Sequence, residues 1–371
     1  MNDLLKIRIF AHSWVSDWNH GNAHFLRGLA RALQKFGHEV RCYEQVGSWS
    51  LTNLQRELRE RAELEMSKFQ QAFPTLDVRF LPTDETLASA LEGELRDSDL
   101  VIVHEWNSTE LIHGVLDLKD RLGFRALFHD THHRAYTSPK EMASLPLDRF
   151  DGVLAFGEAI RRIYANGFGV NRAWSFHEAA DIEHFHPLAA QKDSDVVWIG
   201  NWGDEERTRE LQDFLVGPAS TLRDYSFAVH GVRYPKNARA ELEKAGIQYR
   251  GYLSNLDAPD VYNRSALSLH IPRRFYSNGL SGIPTIRVFE ALACGAPLVC
   301  SPWSDCERLF RPGEDYVCVQ DGKAMTAEIQ RLLHDDSARQ QLSANGLETI
   351  LARHTCEHRA QQLLEHWEEI P

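Results

Sequence analysis

At the end of the β-prone run in ALFHDTHHRAYTSP, the residues His129, Asp130, His132, His133 and Arg134 fall on a single loop. So many titratable groups at one strand end are costly to bury and are seldom purely structural. An imidazole there can orient a hydroxyl, and the Asp130 carboxylate can take up its proton. Asp130 with two histidines is also a thinkable metal set. However, the six cysteines form no C-x-x-C pair and no zinc-like spacing with histidine, so no metal site is expected. A second strand end, VIVHEWNS, carries His104, Glu105 and Asn107, and HEAAD carries His177 and Glu178. Either carboxylate, Glu105 or Glu178, is a candidate base.

A different chemistry is written in IPTIRVFEALACGAPLVCSP, from Ile283 to Pro302. Pro284 and Thr285 suit a helix start, and Ile286, Phe289, Leu292 and Ala293 repeat on one face. Gly295 and Pro297 then stop the helix. Arg287 and Glu290 therefore lie one turn apart, on what reads as the exposed face near the positive helix end. A carboxylate there can accept two ribose hydroxyls, while a guanidinium and the first helix amides suit a diphosphate. Arg273 and Arg274 follow the run LSLHIP and are also placed for phosphate. In WNHGNAH, Gly21 and Asn22 open another helix whose amides can meet an anion. Neither G-x-G-x-x-G nor a P-loop is present, which disfavours a nicotinamide dehydrogenase.

These loops require elements to carry them. KIRIFAH, a glycine-bearing turn, HFLRGLARALQKFG and HEVRCYE read as strand, helix and strand, with Phe25, Leu29, Ala32, Leu33 and Phe36 on the helix's apolar face. Strand-like runs follow at SDLVIVHE, FRALFHD, DGVLAFG and RAWSF. The β-α order restarts near Asp195 with DVVWIGNWG and continues through YSFAVHG, IQYRGYL, LSLHIP, APLVCSP and DYVCVQD. Alternation of this kind predicts parallel sheets covered on both faces. A chain of 371 residues exceeds one ordinary core, so two domains are expected, 1–187 and 188–354, with a helix at about 355–371 able to pack back on the first. Ligands of such sheets bind outside the carboxyl ends of the strands.

Composition narrows the partners. A hydrophobic content of 43% with 25% charged residues argues against disorder, and a net charge of −12 argues against nucleic acid or anionic lipid as partner. The sequence shows no apolar run long enough for a membrane span and no signal-peptide layout at MNDLLKIRIF, which predicts a cytoplasmic protein.

The Ile283–Pro302 segment resembles the signature of group 1 glycosyltransferases, and Arg287 before Glu290 brings it nearest the CgeB-like branch. EAADIEHFHP resembles the family's crossing between domains, matching at Asp181, Phe185 and Pro187. VVWIGNWGDEERTREL stands where the family places a strand, a glycine and a basic residue against the donor diphosphate, which assigns Arg207, with Arg209 as a substitute. The resemblance implies the GT-B architecture, two Rossmann-like domains whose parallel sheets face each other across a cleft. It implies an enzyme that moves a sugar from a nucleoside-diphosphate sugar to an acceptor, metal-independent, cofactor-free and retaining. His129, Asp130 and His132 would act in catalysis. Glu290, Arg287, Arg207, Arg273, Thr285, Gly282 and Ile283 would bind the donor. Gly21, Asn22, Glu105 and Glu178 would face the acceptor or diphosphate. In one respect the sequence departs from the family: retaining members carry a glutamate where Gly282 stands, and backbone amides from Gly279 to Ile283 are expected to replace it. A nucleotide-sugar epimerase and a non-catalytic nucleotide-sugar-binding protein are the alternatives. Acceptor, base, sugar and oligomeric state are not indicated.

Overall fold

In the computed structural model, which describes residues 4–18, 20–203 and 205–371, the apolar runs become two sheets of parallel strands. Asn19 and Asp204, within two of the loops quoted above, lie outside the described residues. The first sheet contains β1 (Lys6–Phe10), β2 (Glu39–Gln45), β3 (Asp77–Leu81), β4 (Leu100–His104), β5 (Arg125–Asp130), β6 (Gly152–Ala155) and β7 (Ala173–Ser175), in the order β3-β2-β1-β4-β5-β6-β7. Its centre is buried and mostly apolar, as a sheet covered on both faces requires, with Arg8 the buried exception in β1 and further buried polar residues only where β4 and β5 end: every residue of β4 is buried, and Ile9 sits in register with both Cys42 and Ile102. Only β3 has no counterpart among the expected strands. It is an edge strand with most residues partly or fully exposed, so it lacks the apolar run that marks the others.

The second sheet contains β8 (Ser194–Ile199), β9 (Phe227–His230), β10 (Ile247–Gly251), β11 (Ser265–His270), β12 (Leu298–Cys300) and β13 (Val317–Cys318), in the order β10-β9-β8-β11-β12-β13. Both sheets therefore reverse their strand order once, between β1 and β4 and between β8 and β11. At such a reversal the connections leave in opposite directions and a crevice opens outside the carboxyl ends of the strands.

The chain divides into two compact units, residues 1–178 with Cys356–Pro371, and Ala179–Thr355. The division falls after Glu178, ahead of the expected Pro187, because the crossing segment is held by the second unit. Asn263 accepts from Leu188 N (2.7 Å) and donates to the carbonyl of His186 (3.0 Å), and Phe185 is buried. In the first unit, α1 (Ala23–Lys35) covers the sheet with Phe25, Leu29 and Leu33, but Phe36 is 42% exposed beyond its end. The second unit contains α2 (Ile286–Ala293). The closing helix α3 (Cys356–Glu369) belongs to the first unit: Arg125 lies over the Trp367 ring (4.3 Å), Arg359 donates to the His177 carbonyl (2.9 Å), and Trp174 to Glu369 (2.7 Å).

Candidate functional site

In the first unit, the chain leaving β1 is clamped before it reaches α1. Glu44, buried on β2, accepts from the amides of Trp14 (2.7 Å) and Val15 (2.9 Å) and from the hydroxyls of Ser16 (2.9 Å) and Ser48 (3.0 Å). Burial pushes its carboxyl pKa up, and these donated bonds pull against that rise. From α1, Arg27 donates to the Trp14 carbonyl (2.8 Å) and pairs with Asp17 (3.3 Å). The clamp delivers His12 and His20 to the reversal point beside His104, at the end of β4. The centroid of the His12 ring lies 4.2 Å from that of His20 and 5.7 Å from that of His104, and His104 lies 5.5 Å from His129 at the end of β5.

All four imidazoles are neutral at physiological pH. Burial lowers His12 and His129 to about 3 and holds His20 and His104 well below the usual range. His104 bonds to the Thr131 hydroxyl (2.8 Å). Among the described residues, His12 Nδ1, both nitrogens of His20 and Nε2 of His129 have no protein partner. A neutral imidazole offers one N–H and one lone pair, a surface that suits hydroxyl groups, which both donate and accept.

Beneath these rings lies a carboxyl pair. Asp130 is fully enclosed; it accepts from His132 N (2.8 Å) and the Tyr164 hydroxyl (2.6 Å) and lies beside Glu105. Glu105 accepts from Thr131 N (3.0 Å) and lies 3.7 Å from Arg134. Burial and then the neighbouring Asp130 hold Glu105 well above the carboxylate range, and burial raises Asp130 as well. Asp130 is thus placed to hold the strand-end loop, rather than to meet a substrate hydroxyl as its position in the sequence suggests. The His132 ring lies tilted at 3.8 Å from that of His133 and meets Trp106 edge-on at 5.1 Å. Asn22 reaches the Thr131 carbonyl (3.3 Å) from the half-buried turn it shares with Gly21, so the start of α1 is tied to the end of β5. Phe176 packs on His129 (5.7 Å), and Glu178 is buried shortly after it. Among the described residues no three His, Cys, Asp or Glu side chains converge as a metal site.

In the second unit, the residues expected to bind an anion also gather at the reversal point. The turn after β8 passes through Gly203 at φ +79°, and a Cβ there would lie 3.4 Å from both Arg207 Cδ and Arg273 Nη2, so the stem of Arg207 and the guanidinium of Arg273 meet at this turn. Arg207 donates to the Ile271 carbonyl (2.5 Å) and lies over Trp198 (5.2 Å). Burial, with the Arg207 charge, lowers His270 at the end of β11 to about 3, and its Nε2 pairs with the Thr285 hydroxyl (3.0 Å). Thr285 is the N-cap residue of α2 but makes no side-chain bond to the helix amides. Arg274 is paired with Glu210 (2.8 Å).

Glu290 corrects the expectation drawn from its spacing. It is 0% exposed, not on an open face, and accepts from Arg287 (2.5 Å) and from the Tyr262 hydroxyl (3.0 Å). The expected run of ligand-binding amides is also largely engaged. Gly279 N and Leu280 N donate to the Phe275 carbonyl (2.9 and 2.8 Å), and Gly282 N to that of Ser304 (2.9 Å). Ile283 is buried, its carbonyl held by Trp303 (3.0 Å). Sequence reasoning did not single out His12, His20 and His270; His12 and His270 carry a signal, a histidine at or just beyond the carboxyl end of a strand flanking an order reversal, whereas His20, on the loop before α1, carries none.

Residues 207–365 match the family model described as "Glycosyl transferase-like". O-antigen chain mannosyltransferase B of Escherichia coli is 28% identical over 159 residues, which is 41% of this chain and 40% of that protein, so the match spans about two fifths of the relative's length. Anabaena HepE, in complex with UDP and glucose, superposes with a TM-score of 0.70 at 13% identity, covering 98% of this chain and 99% of that one. Sucrose-phosphate synthase from Thermosynechococcus elongatus gives 0.66 at 15% identity, covering 98% of each chain. The fold is that of the GT-B glycosyltransferases, two Rossmann-like domains. No helix among the described residues is long and apolar enough to cross a membrane.

Proposed function

We propose that the chain is a glycosyltransferase, nearest the CgeB-like branch, that moves a sugar from a nucleoside-diphosphate sugar to an acceptor hydroxyl, without a metal and with retention of configuration. The observation that carries this reading is the convergence of Arg207 and Arg273 on the Gly203 turn, beside His270, Thr285 and the start of α2. In the reaction the bond from the anomeric carbon to the diphosphate oxygen breaks, and its electron pair leaves with the diphosphate. Fixed guanidinium groups and a helix start stabilise that developing charge, the work a divalent cation does elsewhere. The acceptor oxygen bonds to the anomeric carbon, and its proton passes to the departing phosphate oxygen.

Retention fits the first unit. An inverting enzyme needs a competent base on the acceptor, whereas Asp130 and Glu105 are enclosed, Glu178 is buried, and His129, lowered to about 3, is a weak one. His129 and His132 are read instead as groups that orient hydroxyls. HepE is also described in complex with UDP-glucose, a donor of this class, on the same fold.

The test is calorimetry with nucleoside diphosphates and their sugars, in excess chelator. A nucleoside diphosphate is expected to bind the parent protein. Arg207→Ala and Arg273→Ala are each expected to weaken it about tenfold or more, since a bond to a charged group contributes roughly 1.5–3 kcal/mol. Should no nucleotide bind, or both variants bind as the parent does, the reading fails. Conversion of the donor to its epimer without an acceptor would replace it with an isomerase.

A further inference from the structure

We infer that His12, His20 and Trp106 form a carbohydrate subsite at the order reversal of the first sheet, which holds an uncharged sugar by its hydroxyls and by one apolar ring face; this rests on the transfer reading above and makes the acceptor a neutral saccharide. His20 is 6% exposed, and among the described residues neither of its ring nitrogens has a protein partner. Nor has Nδ1 of the half-buried His12, whose ring centroid lies 4.2 Å away. Buried polar nitrogens are ordinarily hydrogen-bonded, so three of them on two adjoining rings mark a place for a partner from outside the chain.

The neighbouring groups are already committed. Trp106 N donates to Nδ1 of His104 (3.4 Å), which leaves Nε2 of that ring to donate to the Thr131 hydroxyl (2.8 Å). Arg27 is paired with Asp17 (3.3 Å), and Arg134 with Glu141 (2.7 Å). An anion would therefore meet imidazoles that burial keeps unprotonated and guanidinium groups that already hold carboxylates. A sugar hydroxyl both donates and accepts, which matches the N–H and the lone pair of each ring. Trp106 supplies the apolar face: its ring is 42% exposed, lies 6.2 Å from that of His12 and has the Arg134 guanidinium 4.3 Å from its centre. An aromatic surface beside a few fixed polar groups gives a small-molecule site both affinity and orientation. The parts are positioned in advance. Asn107 Nδ2 donates to the carbonyls of Phe10 (2.8 Å) and His104 (2.7 Å), and His20 N to that of Asp17 (3.2 Å), on the loop that Glu44 clamps.

The experiment is saturation-transfer NMR on the whole chain with methyl glucoside, methyl mannoside, methyl galactoside, maltose and cellobiose, beside the anions glucose phosphate and glucuronate. Calorimetry with nucleoside diphosphates runs on the same preparations. A neutral sugar of this set is expected to bind, and both anions about tenfold more weakly than it. His20→Ala and Trp106→Ala should each weaken that sugar about tenfold while leaving a nucleoside diphosphate within about twofold. Trp106 is exposed enough that its variant carries the comparison if His20→Ala does not fold. Anions bound as tightly as the neutral sugar, variants that bind it as the parent does, equal losses for sugar and nucleotide, or no neutral sugar bound by a parent that binds a nucleotide would each overturn the subsite and leave the donor reading intact. A parent that binds a sugar through these residues but no nucleotide would keep the subsite and overturn the transfer reading, and one that binds neither would overturn both.

Discussion

Glu290 is held by two groups from different elements, Arg287 on its own helix and Tyr262 on the helix Ala258–Asn263. Removing one partner of a buried pair leaves the other charge uncompensated, a loss of about 3–5 kcal/mol for a fully enclosed pair. Arg287 retains 25% side-chain exposure, so solvent screens part of that loss, and Glu290→Ala is expected to cost about 2–3 kcal/mol by urea titration. A loss under about 1 kcal/mol would show that the pair does not hold the helix. The spacing of Arg287 and Glu290 was legible in the sequence, because residues three apart share a helix face. Which face was not legible, since Tyr262 arrives from another part of the chain. The same limit applies to Asp130: its strand-end position was readable, but the Tyr164 hydroxyl and the Glu105 carboxyl that enclose it come from separate elements.

Strands and the helices between them are where the sequence spoke most clearly, for a buried parallel strand must be an apolar run and the helix that covers it must carry an apolar stripe. Loop geometry is not periodic, so the clamp between β1 and α1 left no such mark. Glu44, which the sequence reading did not single out, holds it from a buried strand by accepting from two loop amides and two hydroxyls. Glu44→Gln keeps the size and an oxygen for the Trp14 and Val15 amides, but its NH2 makes the Ser16 and Ser48 hydroxyls accept instead of donate, and it removes the charge that strengthens all four bonds. A stability loss of about 1–3 kcal/mol is expected, with a lower turnover because His12 and His20 ride on the clamped loop. Denaturant titration and steady-state kinetics measured on the same preparation check this. Unchanged stability with full activity would mean the loop is positioned by Arg27 and Asp17 instead.

At the scale of the molecule, two sheets with one reversal each were foreshadowed by the restart of the β-α order near Asp195, yet the burial of imidazoles at both reversal points emerges only from the fold. Burial lowers His12, His129 and His270 to about 3 and His230 to about 4, and His20 and His104 well below their usual value. An unfolded chain protonates these rings near pH 6.5, while the folded protein does not until far lower. Unfolding therefore takes up protons between about pH 6.5 and 3, and stability falls as pH falls through that window. Glu105, Asp130 and Glu44 have raised pKa values and act in the opposite sense, because the folded state keeps their protons longer. The six imidazoles outnumber the three carboxyls, so net uptake is expected, and each net proton contributes about 1.4 kcal/mol per pH unit. Acidification also reduces the net charge of −12 and relieves repulsion, an effect that about 0.15 M salt screens beyond roughly 8 Å. At that ionic strength the urea midpoint is expected to drop steadily from pH 7 to pH 5. A midpoint that stays level or rises on acidification would mean that the imidazoles are already protonated in the folded protein. Their unpartnered nitrogens would then present donors only, and the pairing with substrate hydroxyls proposed for the first unit would lose its acceptor half.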